Sequence, residues 1–136
     1  MGKLILDTGI LIAIDRGAVD LPDVIADDDN VAVAAVVIAE YLTGLAGQTN
    51  PAKQASARAF LTEFRAIVPS IPYDDVIAEH HSELLTHVRG TGKPRGAHDL
   101  IIAATARATG RTLVTTDRRA DFGTLPGVEV RLVGPG

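Results

Sequence analysis

Apolar and polar positions along the chain switch repeatedly between short β-prone runs and longer stretches with helical spacing. Lys3 to Leu6 is an apolar run that stops at Asp7, and after a turn at Asp7-Thr8-Gly9 the apolar positions continue to Ile14, predicting a strand and then a helix to about Arg16. Val31 to Ala34 is predicted as a second strand, and Val36 to Leu45 as the helix after it, closing at Gly44 or Gly47. Asn50-Pro51 sets an N-cap residue before a proline at the first helical position. Ala55, Ala59, Phe60, Phe64 and Ile67 then give a helix its apolar stripe through about Arg65. Ile67 to Ile71 reads as extended, an edge strand at best beside Pro69 and Pro72. Asp74 to Val88 is a further helix, facing the core through Val76, Ile77, Leu84 and Val88, and Gly90 to Gly96 reads as a flexible, basic loop.

The stretch from Gly96 to Asp117 carries the strongest pattern. Asp99 to Thr109 is nearly all Leu, Ile and Ala, apolar almost all round and therefore predicted to be buried, and Gly110 supplies the residue type that ends helices. Thr112 to Thr116 then reads as a strand that gives out at Asp117. Phe122 packs locally, Pro126-Gly127 turns the chain, and Val128 to Val133 is the last strand. Strands alternating with helices point to an α/β fold, a parallel sheet covered on both faces, in a single domain over residues 1–136.

This arrangement places carboxylates at equivalent points. Asp7 and Asp117 end strands, Asp99 lies in a first helical turn, and Glu40 falls in the early turns of its helix, so a parallel sheet brings all of them to one edge. Two like charges about 4 Å apart repel by roughly 4 kcal/mol at an effective dielectric near 20. Either some of these acids are protonated or a divalent cation sits among them. Oxygen-only ligands without cysteine favour Mg²⁺ or Mn²⁺ over Zn²⁺. Each acid alone is equally at home as a helix-start or turn residue; the common edge makes them a candidate site.

Charge refines this picture. The net charge of −4 argues against a general nucleic-acid-coating surface. Acids crowd at Asp20, Asp23, Asp27, Asp28 and Asp29 in what reads as a solvated loop, whereas Lys93, Arg95, Arg118 and Arg119 flank the acidic edge as candidate phosphate contacts. Of 13 basic residues only Lys3, Lys53 and Lys93 are lysine, which suits phosphate geometry and suits GC-rich coding bias equally. The absence of cysteine fits a reducing cytoplasm. The run from Leu4 to Ile14 is too short for a bilayer and carries Asp7, so the expectation is a soluble, unexported protein without a membrane role.

Other signals fail. Gly90-Thr91-Gly92-Lys93 lacks the first glycine and the Ser or Thr of a phosphate loop. His80, Glu83 and His87 share a helix face but lack a fourth ligand, and read as a polar face. His98 is read as a structural or substrate-lining residue.

Leu6-Asp7-Thr8, Ala39-Glu40-Tyr41-Leu42-Thr43-Gly44, His98-Asp99-Leu100-Ile101-Ile102-Ala103-Ala104-Thr105-Ala106 and Leu113-Val114-Thr115-Thr116-Asp117 with Asp121-Phe122 together resemble the PIN-domain nucleases. The chain is most similar to the VapC-type toxins of bacterial toxin-antitoxin pairs, and the resemblance spans nearly all of it. It implies a PIN-domain-like three-layer sandwich and Mg²⁺-dependent endoribonuclease activity leaving a 5′-phosphate and a 3′-hydroxyl. It further implies homodimerisation and neutralisation by a VapB-type antitoxin. Carried over by residue, the metal-site acids are Asp7, Glu40, Asp99 and Asp117, with Asp121 as a fifth candidate. Gly9 stands where the family usually has Ser or Asn, and Val37 where a Ser or Thr often precedes the glutamate, which implies thinner polar support. Two other classes place acids at strand ends or keep such a fold: a Mg²⁺-dependent phosphotransfer or receiver-like domain, and a nuclease-inactive binding module.

Overall fold

The computed structural model describes residues 1–134. Five strands, β1 (Lys3–Leu6), β2 (Asn30–Ala34), β3 (Ser70–Ile71), β4 (Thr112–Thr115) and β5 (Val130–Leu132), form one sheet in the order β3-β2-β1-β4-β5. Every pairing is parallel. Around it lie α1 (Thr8–Asp15), α2 (Leu21–Val24), α3 (Ala35–Ala46), α4 (Pro51–Ile67), α5 (Asp75–Thr91) and α6 (Ala97–Thr109). The core is built on the central strands: Ile5, Leu6, Val33, Leu113 and Val114 are fully buried, as a parallel sheet covered on both faces requires. No helix among the described residues is long and apolar enough to cross a membrane.

Strand order decides where the site falls. The chain runs from β1 outward through β2 to β3, then returns to place β4 on the other side of β1. The direction of winding thus reverses between β1 and β4, and the crevice beyond their carboxyl ends is where open α/β sheets bind ligands. Leu6 pairs with Val114, and the Asp7 amide donates to the Val114 carbonyl at 3.1 Å, so Asp7 leaves the sheet beside Thr115. At the opposite end, Arg111 Nη1 donates to the carbonyls of Leu4 and Asn30, each at 3.1 Å, and ties three strand starts together.

The α/β alternation, the parallel sheet and the buried α6 match the sequence expectations, while several boundaries differ for local reasons. There is no separate turn after β1, because Asp7 caps α1 directly and the helix begins at Thr8. The acidic loop contains the short helix α2, started by Pro22 in its first turn. Helix α4 runs on through Ile67, leaving β3 only two residues long at the sheet edge. Its buried face is Leu61 and Phe64, with Ala57 and Phe60 packed alongside, whereas Ala55, Ala59 and Ile67 are exposed. Val76 likewise points outward, and α5 takes in Gly90 and Thr91 before Gly92 ends it in the left-handed conformation. The last strand is Val130–Leu132 rather than Val128 to Val133.

Two glycines give this architecture a direct test. Gly110 ends α6 at φ 64°, where a Cβ is strained, whereas Gly44 lies inside α3 with open space where a Cβ would stand. We expect Gly110→Ala to lower stability by more than about 1 kcal/mol and Gly44→Ala to raise it by about 0.5–1 kcal/mol in urea unfolding. The same sign for both would contradict the assigned helix ends.

Candidate metal and phosphodiester site

Four acids approach one another beyond the carboxyl ends of β1 and β4. Asp7 is buried, and its side chain holds two kinds of donor: Oδ1 accepts from the Ile10 amide at 3.2 Å and Oδ2 from the Thr115 hydroxyl at 2.5 Å. Burial pushes its pKa up, the charge on Asp117 adds to that, and the Thr115, Ile10 and Gly9 hydrogen bonds oppose it. Asp117 lies just past β4. Its amide donates to the Thr115 hydroxyl at 2.9 Å, and its Oδ1 accepts from the amides of Arg119 at 2.9 Å and Ala120 at 3.2 Å, a turn closed by the side chain itself.

Asp99 occupies the first turn of α6, where the helix dipole favours a negative charge. Its pKa is raised, first by burial and then by the charges of Asp117 and Glu40, with His98 and Arg95 acting the other way. Glu40 sits one turn into α3, held on one oxygen and faced by His98 on the other. Thr8 Oγ1 donates to Oε1 at 2.8 Å, and His98 Nδ1 lies 3.5 Å from Oε2. The electrostatic couplings of Asp7 to Asp117, and of Asp99 to both Asp117 and Glu40, make one acidic cluster of the four residues singled out in the sequence.

The donor set suits a hard divalent cation. Among the described residues no three His, Asp or Glu side chains close around a single point. Carboxylate oxygens are the ligand type that Mg²⁺ and similar hard cations take. Asp99 accepts no hydrogen bond among the described residues, and the Asp117 carboxylate accepts only through Oδ1, so carboxylate oxygens are left for a cation.

The remaining candidates divide. Asp121 does not share a helical face with Asp117: it stands alone in the left-handed region at φ 48°, ahead of the 3-10 turn Phe122–Thr124, and its carbonyl rather than its carboxylate is engaged. Arg95 is not a free rim cation, because its guanidinium donates to the carbonyls of Ala120 and Asp121 and to Thr124 Oγ1. Lys93, Arg118 and Arg119 are exposed and form no ion pair among the described residues. Glu83 is engaged by Arg107, which removes it from the His80, Glu83 and His87 face.

Sequence reasoning missed Thr8 and Thr115. A threonine at a fully buried strand position was the available signal for Thr115, since a buried hydroxyl needs a partner. At Gly9 a Cβ would stand 3.0 Å from Thr116 Oγ1 and 3.4 Å from Asp7 Oδ1, so groups from the ends of β4 and β1 already crowd the place of a side chain.

The chain is similar to known proteins over most of its length. The PIN domain family model matches residues 4–124. Ribonuclease VapC1 of Rickettsia felis is 28% identical over 130 residues, covering 96% of each chain. A chain of the crystal structure of VapBC2 from Rickettsia felis bound to a DNA fragment from their promoter superposes with a TM-score of 0.86 at 23% identity, covering 96% of this chain and 98% of that one. A chain of VapBC-5 from Mycobacterium tuberculosis, a member of the VapBC family of toxin-antitoxin systems, gives 0.81 at 27% identity, covering 98% of this chain and 100% of that one. With its motif acids gathered at the sheet's switch point and a family match over nearly its whole length, the chain belongs to the PIN-domain family.

Proposed function

We propose that the protein is a divalent-metal-dependent endoribonuclease and the toxin of a VapBC-type toxin-antitoxin pair. The observation that carries this reading is the junction at Thr115, which holds Asp7 and Asp117 at adjacent strand ends with Asp99 and Glu40 coupled to them. The resemblance to ribonucleases named VapC supports RNA as the substrate. Likeness to chains from VapBC complexes supports a VapB-type antitoxin as partner.

In this reading Asp7, Asp99 and Asp117 hold Mg²⁺, with Mn²⁺ as a substitute. The cation, when bound, supplies Lewis acidity that lowers the pKa of a water and offsets charge on the scissile phosphate. Glu40, fixed by Thr8 and His98, completes the coordination or orients the attacking water. Lys93, Arg118 and Arg119 hold neighbouring phosphates of single-stranded RNA. Asp121 contributes through its carbonyl to the loop's shape. The protein works as a cytoplasmic homodimer.

Removing an acid should separate chemistry from folding. We expect Asp7→Asn and Asp99→Asn to abolish Mg²⁺-dependent RNA cleavage, a result that retained cleavage in either folded variant would reverse. Asn still caps a helix, so α1 survives at Asp7→Asn. Both acids have folded pKa values raised above the ordinary aspartate value, so the folded state binds these protons more tightly than the unfolded one. Their ionised forms therefore cost stability at neutral pH, and the cost fades as pH falls through the raised folded pKa. Without metal, Asp99→Asn should equal or exceed the wild type in thermal stability at neutral pH, the gap closing toward acid, whereas Asp7→Asn sets the same relief against the loss of one of the two oxygens that accept from Ile10 and Thr115. A large loss at neutral pH would instead make the acid structural. Mg²⁺ at a hundred times its Kd should stabilise the wild type by about 2.7 kcal/mol and the variants far less.

Expression should reveal the toxin. The wild type produced alone should arrest bacterial growth, and co-expression of a VapB-type antitoxin should relieve the arrest. Normal growth with abundant soluble protein would favour the nuclease-inactive binding module. Cleavage assays with Mg²⁺, Mn²⁺ or EDTA separate the nuclease from a phosphotransfer domain, which would leave RNA intact.

A further inference from the structure

We infer that Arg95 is a positioning residue, clamping the loop after β4 to the start of α6 and so holding Asp117 against Asp99. The inference rests on the metal-site reading above and goes beyond it in assigning the geometry of two acids to a residue that touches neither reacting group. Arg95 directly precedes Gly96, the cap of α6, and Asp99 follows in the first turn of that helix. Its Nη1 donates to the carbonyls of Ala120 and, at 2.8 Å, Asp121, while Nη2 donates to Thr124 Oγ1. Ala120 is the shared link: its amide donates to Asp117 Oδ1 at 3.2 Å and its carbonyl accepts from Arg95.

The loop needs an external hold. Asp121 is the one non-glycine residue at positive φ among the described residues, so the chain here takes a bend that L-residues disfavour. Thr124 Oγ1 also donates to the Asp121 carbonyl at 2.9 Å, closing the bend on itself around the guanidinium. Only a planar fork with several fixed donors spans three acceptors in this way; an ammonium is a single point of charge. Arg118 and Arg119 are adjacent in sequence to Asp117 yet lie exposed, without ion pairs among the described residues. Arginines of one type around one site thus divide into a clamp and a rim.

The test compares Arg95→Ala, Arg95→Lys and Arg118→Ala in the full chain. Three quantities are read: amide hydrogen exchange at Arg119 and Ala120 without metal or RNA, Mn²⁺ affinity by calorimetry, and the salt dependence of RNA binding. Arg95→Ala should speed exchange at both amides and weaken Mn²⁺ binding about 10- to 100-fold, the range for losing a group that orients ligands. Arg95→Lys should behave like the alanine variant. Arg118→Ala should leave exchange and Mn²⁺ affinity unchanged and lower the salt slope of RNA binding by about 1.

Rescue by lysine would overturn the clamp in favour of charge alone. Unchanged exchange and Mn²⁺ affinity with weaker RNA binding in Arg95→Ala would make Arg95 a phosphate contact instead. Should Arg95→Ala fail to fold, Thr124→Val removes one acceptor of the guanidinium together with the hydroxyl's own bond to the Asp121 carbonyl, and must still speed exchange at Ala120; unchanged exchange there also overturns the proposal. A wild type that binds Mn²⁺ but cuts no RNA would end the nuclease reading while the exchange data still decide the clamp.

Discussion

The Thr115 hydroxyl is the point on which the acidic site depends. It donates to Asp7 and accepts from the amide of Asp117, so one oxygen atom fixes the ends of two neighbouring parallel strands relative to each other. A hydroxyl has one hydrogen to give and lone pairs to receive, and both roles are in use. Thr115 is wholly buried, and losing either partner would leave a polar group without water to replace it, at a cost of about 1–3 kcal/mol. The site is therefore built into the sheet rather than added to it. The Asp7 side chain also caps α1, so strand, helix and carboxylate are set by the same local bonds.

Holding like charges together requires offsets, and each acid has its own. Asp7 and Asp99 lie at helix starts, where amide donors and the helix dipole favour an anion by a few tenths to about 1 kcal/mol. Glu40 has no such end to sit on and is held instead by Thr8 and faced by His98. Asp117 draws on its own turn amides. These offsets are incomplete for Asp7 and Asp99, whose pKa values stay raised: burial outweighs the hydrogen bonds at Asp7, and burial together with the charges of Asp117 and Glu40 outweighs His98 and Arg95 at Asp99. That residual penalty is what a bound cation would relieve.

The fold was legible because it rests on period and punctuation. Alternating apolar runs give the parallel sheet, Gly110 ends α6, and Asp7, Asp99 and Asp117 fall at strand ends and helix starts that a parallel arrangement brings together, with Glu40 a turn into its helix. The supporting residues were not legible, since whether a threonine fills a strand or bonds a carboxylate depends on a neighbour more than a hundred positions away in sequence. Arg95 shows the same limit. Its residue type and nearness to acids suggested a phosphate contact, but backbone carbonyls of a later loop compete for its donors, and only the folded chain brings them within reach. At Asp121 it is the shared face with Asp117 that does not form: spacing of four residues implies one only in a helical turn, and this segment takes a left-handed bend.

On the proposed function a chain of net charge −4 would receive a polyanion at an acidic site, which raises a question of field that the sheet answers by distance. Asp28 faces the N-terminal amine at 3.6 Å, and Asp29 accepts from the Gly2 amide at 2.8 Å, so this acidic segment is tied to the amino ends of β1 and β2. The carboxylate cluster lies at the other end of the same strands. A five-residue strand such as β2 spans about 16 Å, roughly twice the Debye length of about 8 Å at physiological salt. Repulsion from the acidic segment is therefore largely screened where a phosphate chain would approach. What that chain would feel is the local balance between the cluster, any cation it holds, and the exposed Lys93, Arg118 and Arg119. Lower salt extends the reach of the distant acids as well as of the near cations, so affinity should climb less steeply on dilution than the rim's positive charge alone implies.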